Sequence, residues 1–245
     1  MYNNFAKYYD ILMSDVDYSA RAEYILSLFE KFGGAPGTLL DLACGTGGFS
    51  NEFAARGAQV IGVDISEEML SVAQHKSVER NHNILYVCQS AQELNLHSEV
   101  DGAVCLLDSL NHITDYNDFC EVFVKVSVFL KKGGLFIFDM NTGYKHAQVL
   151  ADNTFVIEEG DVFCVWQNFY VPEEKSTEIS LDFFERRGNL YLRSTEDFSE
   201  RAYSDKQISD AVENAGFKLE AVFGDMSLLP AGSTEQRKVF VLRKM

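Results

Sequence analysis

The sequence predicts an α/β protein with a mostly parallel sheet that is covered by helices on both faces. From Thr38 onward, five short runs that are apolar throughout alternate with amphipathic segments. Such runs are typical of strands that are buried on both faces. The last two strand-like runs, 218–224 and 237–243, are joined only by a loop. They therefore predict an antiparallel pair at the end of the sheet.

Helices precede and separate these strands. In the first ~35 residues, apolar side chains recur at helical spacing in two stripes, and Gly33-Gly34 end the second helix. Ser66 predicts another helix start, because it precedes two acidic residues. The strands are predicted at 38–43, 58–64, 83–89, 100–108 and 133–141, and the helices between them at 49–57, from Ser66 onward and at 118–130.

An inserted segment interrupts this alternation between 142 and 201. It contains four strand-like runs, and Gly160-Asp161 and Gly188-Asn189 are typical of hairpin turns. A helix follows from Ser204 to Gly216. The pattern predicts a main domain formed by residues 1–141 and 202–245, with helices at its N-terminus, and an antiparallel β-subdomain at 142–201.

The composition argues against several kinds of partner. The 245 residues carry a net charge of −16 with no Lys/Arg cluster, which disfavours nucleic acid. The five cysteines are odd in number and lack Cys-x-x-Cys spacing, so we expect reduced thiols in a cytoplasmic protein, with no disulfide framework or zinc site. We expect no signal peptide and no membrane span, since no apolar run reaches about 18 residues.

The stretch "LLDLACGTGGFS", from Leu39 to Ser50, combines a predicted strand with small residues and then a helix. The small residues Ala43, Gly45 and Gly47 let a ligand approach bare backbone. A dinucleotide frame beginning at Gly45 would need glycine where Ser50 stands. A frame beginning at Ala43 matches in part, so the glycine turn alone does not identify the ligand.

Two features favour a cationic ligand over a dinucleotide: the carboxylate of Asp41, and the predicted antiparallel strand pair at the end of the chain, where a dinucleotide fold would continue its parallel units. Asp41 lies inside the strand end, where it would oppose a pyrophosphate but suit an ammonium or sulfonium group. Asp64 ends the second strand about 20 residues later, the position from which a carboxylate accepts ribose hydroxyls. Ser66 already serves as a helix cap, which leaves Asp64 available for that role.

At this point the chain resembles class I S-adenosylmethionine-dependent methyltransferases. The resemblance rests on "DLACGTG", on "VDISEEML" and on the order of elements from Thr38 to Met245. The N-terminal "FAKYYDILMSDVDY" is similar to the start of small-molecule and amine methyltransferases and of uncharacterised bacterial relatives. It implies a doubly wound, seven-stranded, mostly parallel Rossmann-like sheet with an antiparallel last strand. The inserted antiparallel β-subdomain would then be a lid over the methyl acceptor, and S-adenosyl-L-methionine the cofactor.

The resemblance also implies positions for the cofactor. Asp41 would lie near its ammonium, and the main chain at Leu106 and Leu107 would complete the methionine side, which Ala43 and Gly45 face. In the family a carboxylate commonly contacts adenine where this chain has Ser90, so Ser90, Gln92 or the backbone of Ala91 must replace it. The residues expected around the cofactor are therefore Asp41, Ala43, Gly45, Gly47, Asp64, Ile65, Met69, Ser90, Ala91, Leu106 and Leu107. Ile65 and Met69 are equally consistent with plain core residues.

Candidate catalytic residues follow the fourth strand in "LLDSLNHI", where open sheets place reacting groups. By resemblance to amine-methylating relatives, His112 would be a base in the acceptor site and Tyr9 a cap over it. Asp108 is the third candidate. The alternatives are that Asp108 caps a turn and that His112 is a packed surface histidine. No metal is predicted, since the five histidines are scattered.

The favoured function is methyl transfer to a small-molecule amine or hydroxyl by in-line displacement, in which the protein mainly aligns the reacting atoms. Two alternatives stay open at this point. One is an NAD(P)-dependent oxidoreductase on a dinucleotide fold. The other is a catalytically silent partner protein that binds the cofactor.

Overall fold

A computed structural model describes residues 5–245 of the chain, except for the side chain of Phe5. The expectation that no signal peptide is present concerns residues 1–4 as well, which lie outside this range. The helices are α1 (Phe5–Leu12), α2 (Tyr18–Phe32), α3 (Gly48–Ala55), α4 (Glu67–Glu79), α5 (Tyr116–Phe129) and α6 (Asp205–Asn214). The strands are β1 (Thr38–Leu42), β2 (Gln59–Asp64), β3 (Leu85–Cys88), β4 (Val100–Cys105), β5 (Leu130–Asn141), β6 (Thr154–Glu159), β7 (Val162–Val171), β8 (Ser176–Arg187), β9 (Leu190–Arg201), β10 (Phe217–Gly224) and β11 (Arg237–Lys244).

Seven strands form the main sheet in the order β10-β11-β5-β4-β1-β2-β3. β11 runs antiparallel to both of its neighbours, whereas the pairs among β1 to β5 are parallel. The predicted fold class is confirmed. From β1 the chain order runs through β2 and β3 toward one edge of the sheet, and through β4 and β5 toward the other. In open α/β sheets, ligands bind outside the carboxyl ends of the strands at such a switch point. That crevice lies where β1 and β4 end.

Two apolar layers sandwich the sheet. Alternate residues of β5 point to opposite faces, so that Phe136 and Phe138 pack with α5 and α6, while Leu135 and Ile137 pack with α2 and α3. All four are 2% exposed or less. This double burial explains why the strands are apolar throughout.

Local sequence sets the helix ends. The Ser66 hydroxyl accepts the backbone N–H of Met69, as predicted, and Ser204 forms a capping box with Gln207. Gly216, which follows α6, has a φ of +80°, a conformation that favours glycine. The fifth strand begins at Leu130 rather than 133, because Leu130 already pairs with Val100 of β4.

The inserted segment forms a second sheet, an antiparallel meander in the order β6-β7-β8-β9. Gly160 and Gly188, in two of its turns, have positive φ values of 58° and 64°. Its inner face packs on α1 and α4, and the rings of Tyr8 and Phe183 stack at 4.6 Å. Helix α1 is thus held against the inserted sheet and α4. The predicted domain boundaries at 142 and 201 stay a prediction.

Candidate active site

The loop after β1 has an unusual backbone. Ala43, Gly45 and Gly47 have φ values of 56°, 54° and 74°. A Cβ at Gly45 would meet nothing closer than the Tyr9 ring at 3.8 Å, so glycine is required there by conformation. At Gly47, a Cβ would lie 2.6 Å from the Tyr86 hydroxyl. Gly47 therefore lets the loop pack closely on its neighbours.

Asp64 is tied to this loop through both oxygens of its carboxylate. One oxygen accepts the Gly45 N–H at 2.8 Å, and the other accepts the Ser66 N–H at 2.9 Å. Each carboxylate oxygen has a second acceptor direction left for a ligand hydroxyl. Burial raises the pKa of Asp64, although these backbone hydrogen bonds oppose the shift.

Asp41 lies beneath the loop, at the end of β1, and is only 2% exposed. The Ser50 hydroxyl donates a hydrogen bond to the Asp41 carboxylate at 2.5 Å. Burial raises the pKa of Asp41 to about 7, despite this hydrogen bond. A cationic ligand group next to Asp41 would favour its ionised form.

The predicted adenine side is more open. Ile65 is 61% exposed directly after Asp64, an available apolar surface for a flat ring. Met69 is buried in the cluster that joins α1, α4 and the inserted sheet. The Ser90 hydroxyl donates to the Glu93 carboxylate at 2.9 Å. A carboxylate is therefore present at this edge, three residues after the position where the family commonly has one.

The end of β4 is held in a tight turn by Asp139 of β5. Leu107 and Asp108 both have positive φ, and their N–H groups donate to the two Asp139 oxygens at 3.0 and 2.7 Å. Arg237 bridges the carboxylates of Asp108 and Asp139 at 2.8 and 2.7 Å. Burial opposes ionisation of Asp108, but the charges of Arg237 and Lys145 outweigh it and hold its pKa below the usual value.

Tyr9 reaches the loop from α1, and its side chain hydrogen-bonds that of Tyr18. These rings line a cavity of about 10 Å³ together with Asp41, Ala43 and Leu107. Small-molecule sites typically measure about 300–1,000 Å³. This cavity is therefore much smaller than a typical small-molecule site, and the Tyr9 ring forms part of its wall.

His112 follows β4 and faces the inserted sheet. Its Nε2 lies 3.7 Å from the carboxylate of Glu200, and its ring lies 5.0 Å from that of Phe198. The buried Nδ1 has no hydrogen-bond partner among the described residues. His146 approaches Glu200 from the other side, with its Nε2 at 3.8 Å. Two imidazoles thus flank one buried carboxylate.

The structure brings half of the predicted site residues to one crevice. Tyr9, Asp41, Ala43, Leu106 and Leu107 border the same cavity, and Asp64 contacts Gly45. Sequence reasoning missed the polar residues that other strands contribute. Asp139 could have been found, since it ends a predicted strand. Glu200 and His146 had no signal, because nothing in the inserted segment indicates which side chains turn toward His112.

A second cavity, of about 410 Å³, lies where the chain passes between the two sheets. It is bordered by Asn141 and Thr142 on the outgoing strand and by Ala202 and Ser204 on the return. The side chain of Asn141 donates to Asp108 at 2.5 Å and to Glu200 at 3.3 Å. Asn141 therefore connects this cavity to the site around His112.

Comparison with known proteins identifies the family. A family model described as "Methyltransferase domain" matches residues 39–134. The Bacillus subtilis (strain 168) protein named "Putative methyltransferase YqeM" is 35% identical over 100% of this chain and 97% of its own length. The chain therefore belongs to the class I S-adenosylmethionine-dependent methyltransferases, and it is an enzyme of that class whose cofactor is S-adenosyl-L-methionine.

Solved structures agree with this assignment. The S-adenosylmethionine-dependent methyltransferase from Clostridium acetobutylicum ATCC 824 is 32% identical, covers 99% of this chain and 98% of its own, and superposes with a TM-score of 0.90. The S-adenosylmethionine-bound amino pentose methyltransferase CalS10 from Micromonospora echinaspora has the same fold, with 16% identity, 95% and 93% coverage and a TM-score of 0.74. Among residues 5–245, no helix is both long and apolar enough to cross a membrane.

The residues at the crevice fit this cofactor. The loop offers bare backbone, Asp64 offers acceptor oxygens and Ile65 offers an apolar surface. Asp41 is a buried carboxylate that forms no ion pair within residues 5–245. Acceptor oxygens suit ribose hydroxyls, an apolar surface suits a flat base, a carboxylate suits an ammonium group, and bare backbone lets the ligand come close. Family membership also favours the methyl donor over the nicotinamide alternative.

Proposed function

We propose that the enzyme methylates a nitrogen or oxygen of a small molecule by in-line displacement, and that an amine nitrogen is the preferred acceptor. The observation that carries this proposal is the buried, unpartnered Nδ1 of His112 at the carboxyl end of β4. A base is needed there because the attacking group starts with a proton. His112 is the titratable group best placed to remove it.

The amine is favoured by the charges around His112. Asp64 and Glu200 are acidic and interact electrostatically with His112, as does Asp108, whose carboxylate also pairs with Arg237. An acidic surrounding attracts a cationic acceptor and disfavours an anionic one. The amino pentose methyltransferase CalS10, which shares the fold, is consistent with an amine.

Each further residue has a proposed task. Asp64 would hold the ribose, Ile65 and Met69 the adenine, and Asp41 the ammonium. The rest of the cofactor would be lined by main chain, from Ala43 to Gly47, at Ala91 and at Leu106 and Leu107. Ser90 would act with Glu93 at the adenine edge. Bound S-adenosylmethionine supplies an electrophilic methyl group on a sulfonium. Tyr9 would close over the site, and Asp108 would fix the turn that carries His112. The inserted sheet, 142–201, would cover the acceptor.

A methyl-release assay over matched amines and alcohols tests this function. We expect turnover with amines, and His112→Asn should lower kcat by about 10²- to 10⁴-fold, the usual contribution of a general base. Binding of S-adenosylhomocysteine, measured by calorimetry, should be retained. The control is His75→Asn, since His75 lies on the exposed surface of α4. Wild-type turnover in His112→Asn, or methylation of alcohols alone, would contradict the proposal.

A further inference from the structure

Glu200, near the end of β9, is an acid in an unfavourable place. It is 5% exposed, and its direct hydrogen bond is the one that Asn141 donates at 3.3 Å. Burial and the neighbouring Asp108 raise the pKa of Glu200, whereas His112 lowers it. Burying a carboxylate with so few donors is costly, and such groups are concentrated at functional sites.

The two imidazoles beside Glu200 differ in what they can do. His146 is fully buried, and burial lowers its pKa to about 4, so it stays neutral at physiological pH. Its Nδ1 is 2.8 Å from the Thr177 hydroxyl, and its unpartnered Nε2 faces Glu200. A neutral His146 cannot balance the charge of Glu200. Of the two imidazoles only His112 is partly exposed, and Lys145 also interacts electrostatically with Glu200.

The placement of the two nitrogens of His112 has a direct consequence. A neutral imidazole has one protonated nitrogen, and a carboxylate next to one nitrogen keeps the proton there. Nε2 is the nitrogen beside Glu200, at 3.7 Å, and catalytic hydrogen bonds are often long before a substrate binds and shorten in the complex. The unpartnered Nδ1 then carries the lone pair.

We propose that Glu200 is a positioning residue for methyl transfer: it holds the proton of His112 on Nε2, so that Nδ1 accepts the proton of the acceptor. In this step the N–H bond of the acceptor breaks, its electron pair stays on nitrogen, and the proton binds Nδ1. The resulting imidazolium faces the Glu200 carboxylate. The inserted sheet thereby supplies part of the reaction machinery as well as a cover.

This inference rests on the proposed function, because it assigns His112 the role of base. The charged and titratable groups facing the pair are Asp64 of β2, Asp108 after β4, and Lys145 and His146 after β5. All of them remain in place when Glu200 alone is replaced. A change caused by Glu200 is therefore separable from their contributions.

The kinetic test compares Glu200→Gln with Glu196→Gln. Glu196 is a matched control, since it lies four residues earlier on the same face of β9, whereas the carboxylate that pairs with His112 is that of Glu200. Glu200→Gln should lower kcat by about 10- to 100-fold while KM for S-adenosylmethionine stays unchanged. The acidic limb of its pH–rate profile should move to lower pH, because the charge that favours imidazolium is lost. Glu200→Asp should restore part of the rate.

A second readout does not depend on turnover. Nitrogen-15 NMR of labelled histidine reports which nitrogen of His112 carries the proton. We expect Nε2 in the wild type and in Glu196→Gln, and a mixture of both tautomers in Glu200→Leu. Thermal unfolding should show that Glu200→Gln is at least as stable as the wild type, because a buried charge is removed.

Three outcomes would overturn the inference. They are wild-type kcat in Glu200→Gln, an unchanged tautomer in Glu200→Leu, and a loss of rate in Glu200→Gln that is explained fully by lost stability. If no acceptor is ever methylated but the tautomer still responds to Glu200, the proposed function fails while the contact between Glu200 and His112 stands. The two proposals therefore fail in different ways.

Discussion

At the residue scale, Asp41 and Asp64 lie at the ends of neighbouring strands, and burial raises the pKa of both carboxyl groups. Asp64 accepts two backbone N–H groups, which oppose the effect of burial on its pKa. Asp41 accepts a hydrogen bond from the Ser50 hydroxyl, but burial outweighs this contact and raises its pKa to about 7. The folded protein therefore retains a proton at Asp41 that the unfolded chain releases near pH 4.

The sign of the resulting pH effect can be predicted. Between about pH 4 and pH 7 the folded state binds more protons at this site, so its contribution to the free energy of unfolding falls as pH rises, by about 4 kcal/mol in total. Asp41→Asn removes this contribution. Urea unfolding across that range should show the wild type losing stability relative to Asp41→Asn as pH rises. Parallel curves for the two proteins would contradict the raised pKa.

At the scale of elements, one buried side chain fastens the inserted sheet to the main sheet. Asn111, fully buried after β4, donates to the carbonyl oxygens of Asn141 in β5 and Arg201 in β9. Its own oxygen accepts the Asn141 N–H at 2.9 Å. The short turn that carries His112 is thus tied to both strands that flank the site.

Asn111→Ala should therefore disturb both stability and the site. Three hydrogen bonds are lost and buried backbone groups are left unpaired, so we expect a decrease of about 2–4 kcal/mol in the free energy of unfolding, measured in urea. The exposed Asn117→Ala is the control and should stay within about 0.5 kcal/mol of the wild type. A similar decrease in the free energy of unfolding in both variants would show that Asn111 does not specifically hold the two sheets together.

At the scale of the whole molecule, the net charge of −16 opposes compaction. Surface ion pairs such as Lys131–Asp101 offset it locally, but exposed pairs contribute little. Salt screens the long-range repulsion among exposed charges.

We therefore expect stability to rise with ionic strength. Increasing salt from about 10 mM to about 150 mM should raise the melting temperature by a few degrees. For a chain of this size, a shift of about 2–4 °C corresponds to about 1 kcal/mol in the free energy of unfolding. Differential scanning calorimetry in a buffer of low ionic strength, with and without added salt, checks this. A fall in melting temperature would mean that ion pairs outweigh the net repulsion.

The sequence by itself determined the sheet, its helices and the class of cofactor. Strand alternation, the glycine turn and the acids Asp41 and Asp64 are short-range patterns, and adjacent parallel strands bring their ends together by topology alone. The inserted meander was predictable for the same reason, from its hairpin turns at Gly160 and Gly188.

Only the tertiary structure decided how the site is completed. Glu200 lies 88 residues after His112 along the chain, yet the fold places their side chains 3.7 Å apart, and Arg237 comes from the last strand to bridge Asp108 and Asp139. No local periodicity encodes such contacts, because they depend on how one sheet lies over the other. The same packing placed Tyr9 over the glycine loop, and so made α1 a part of the site.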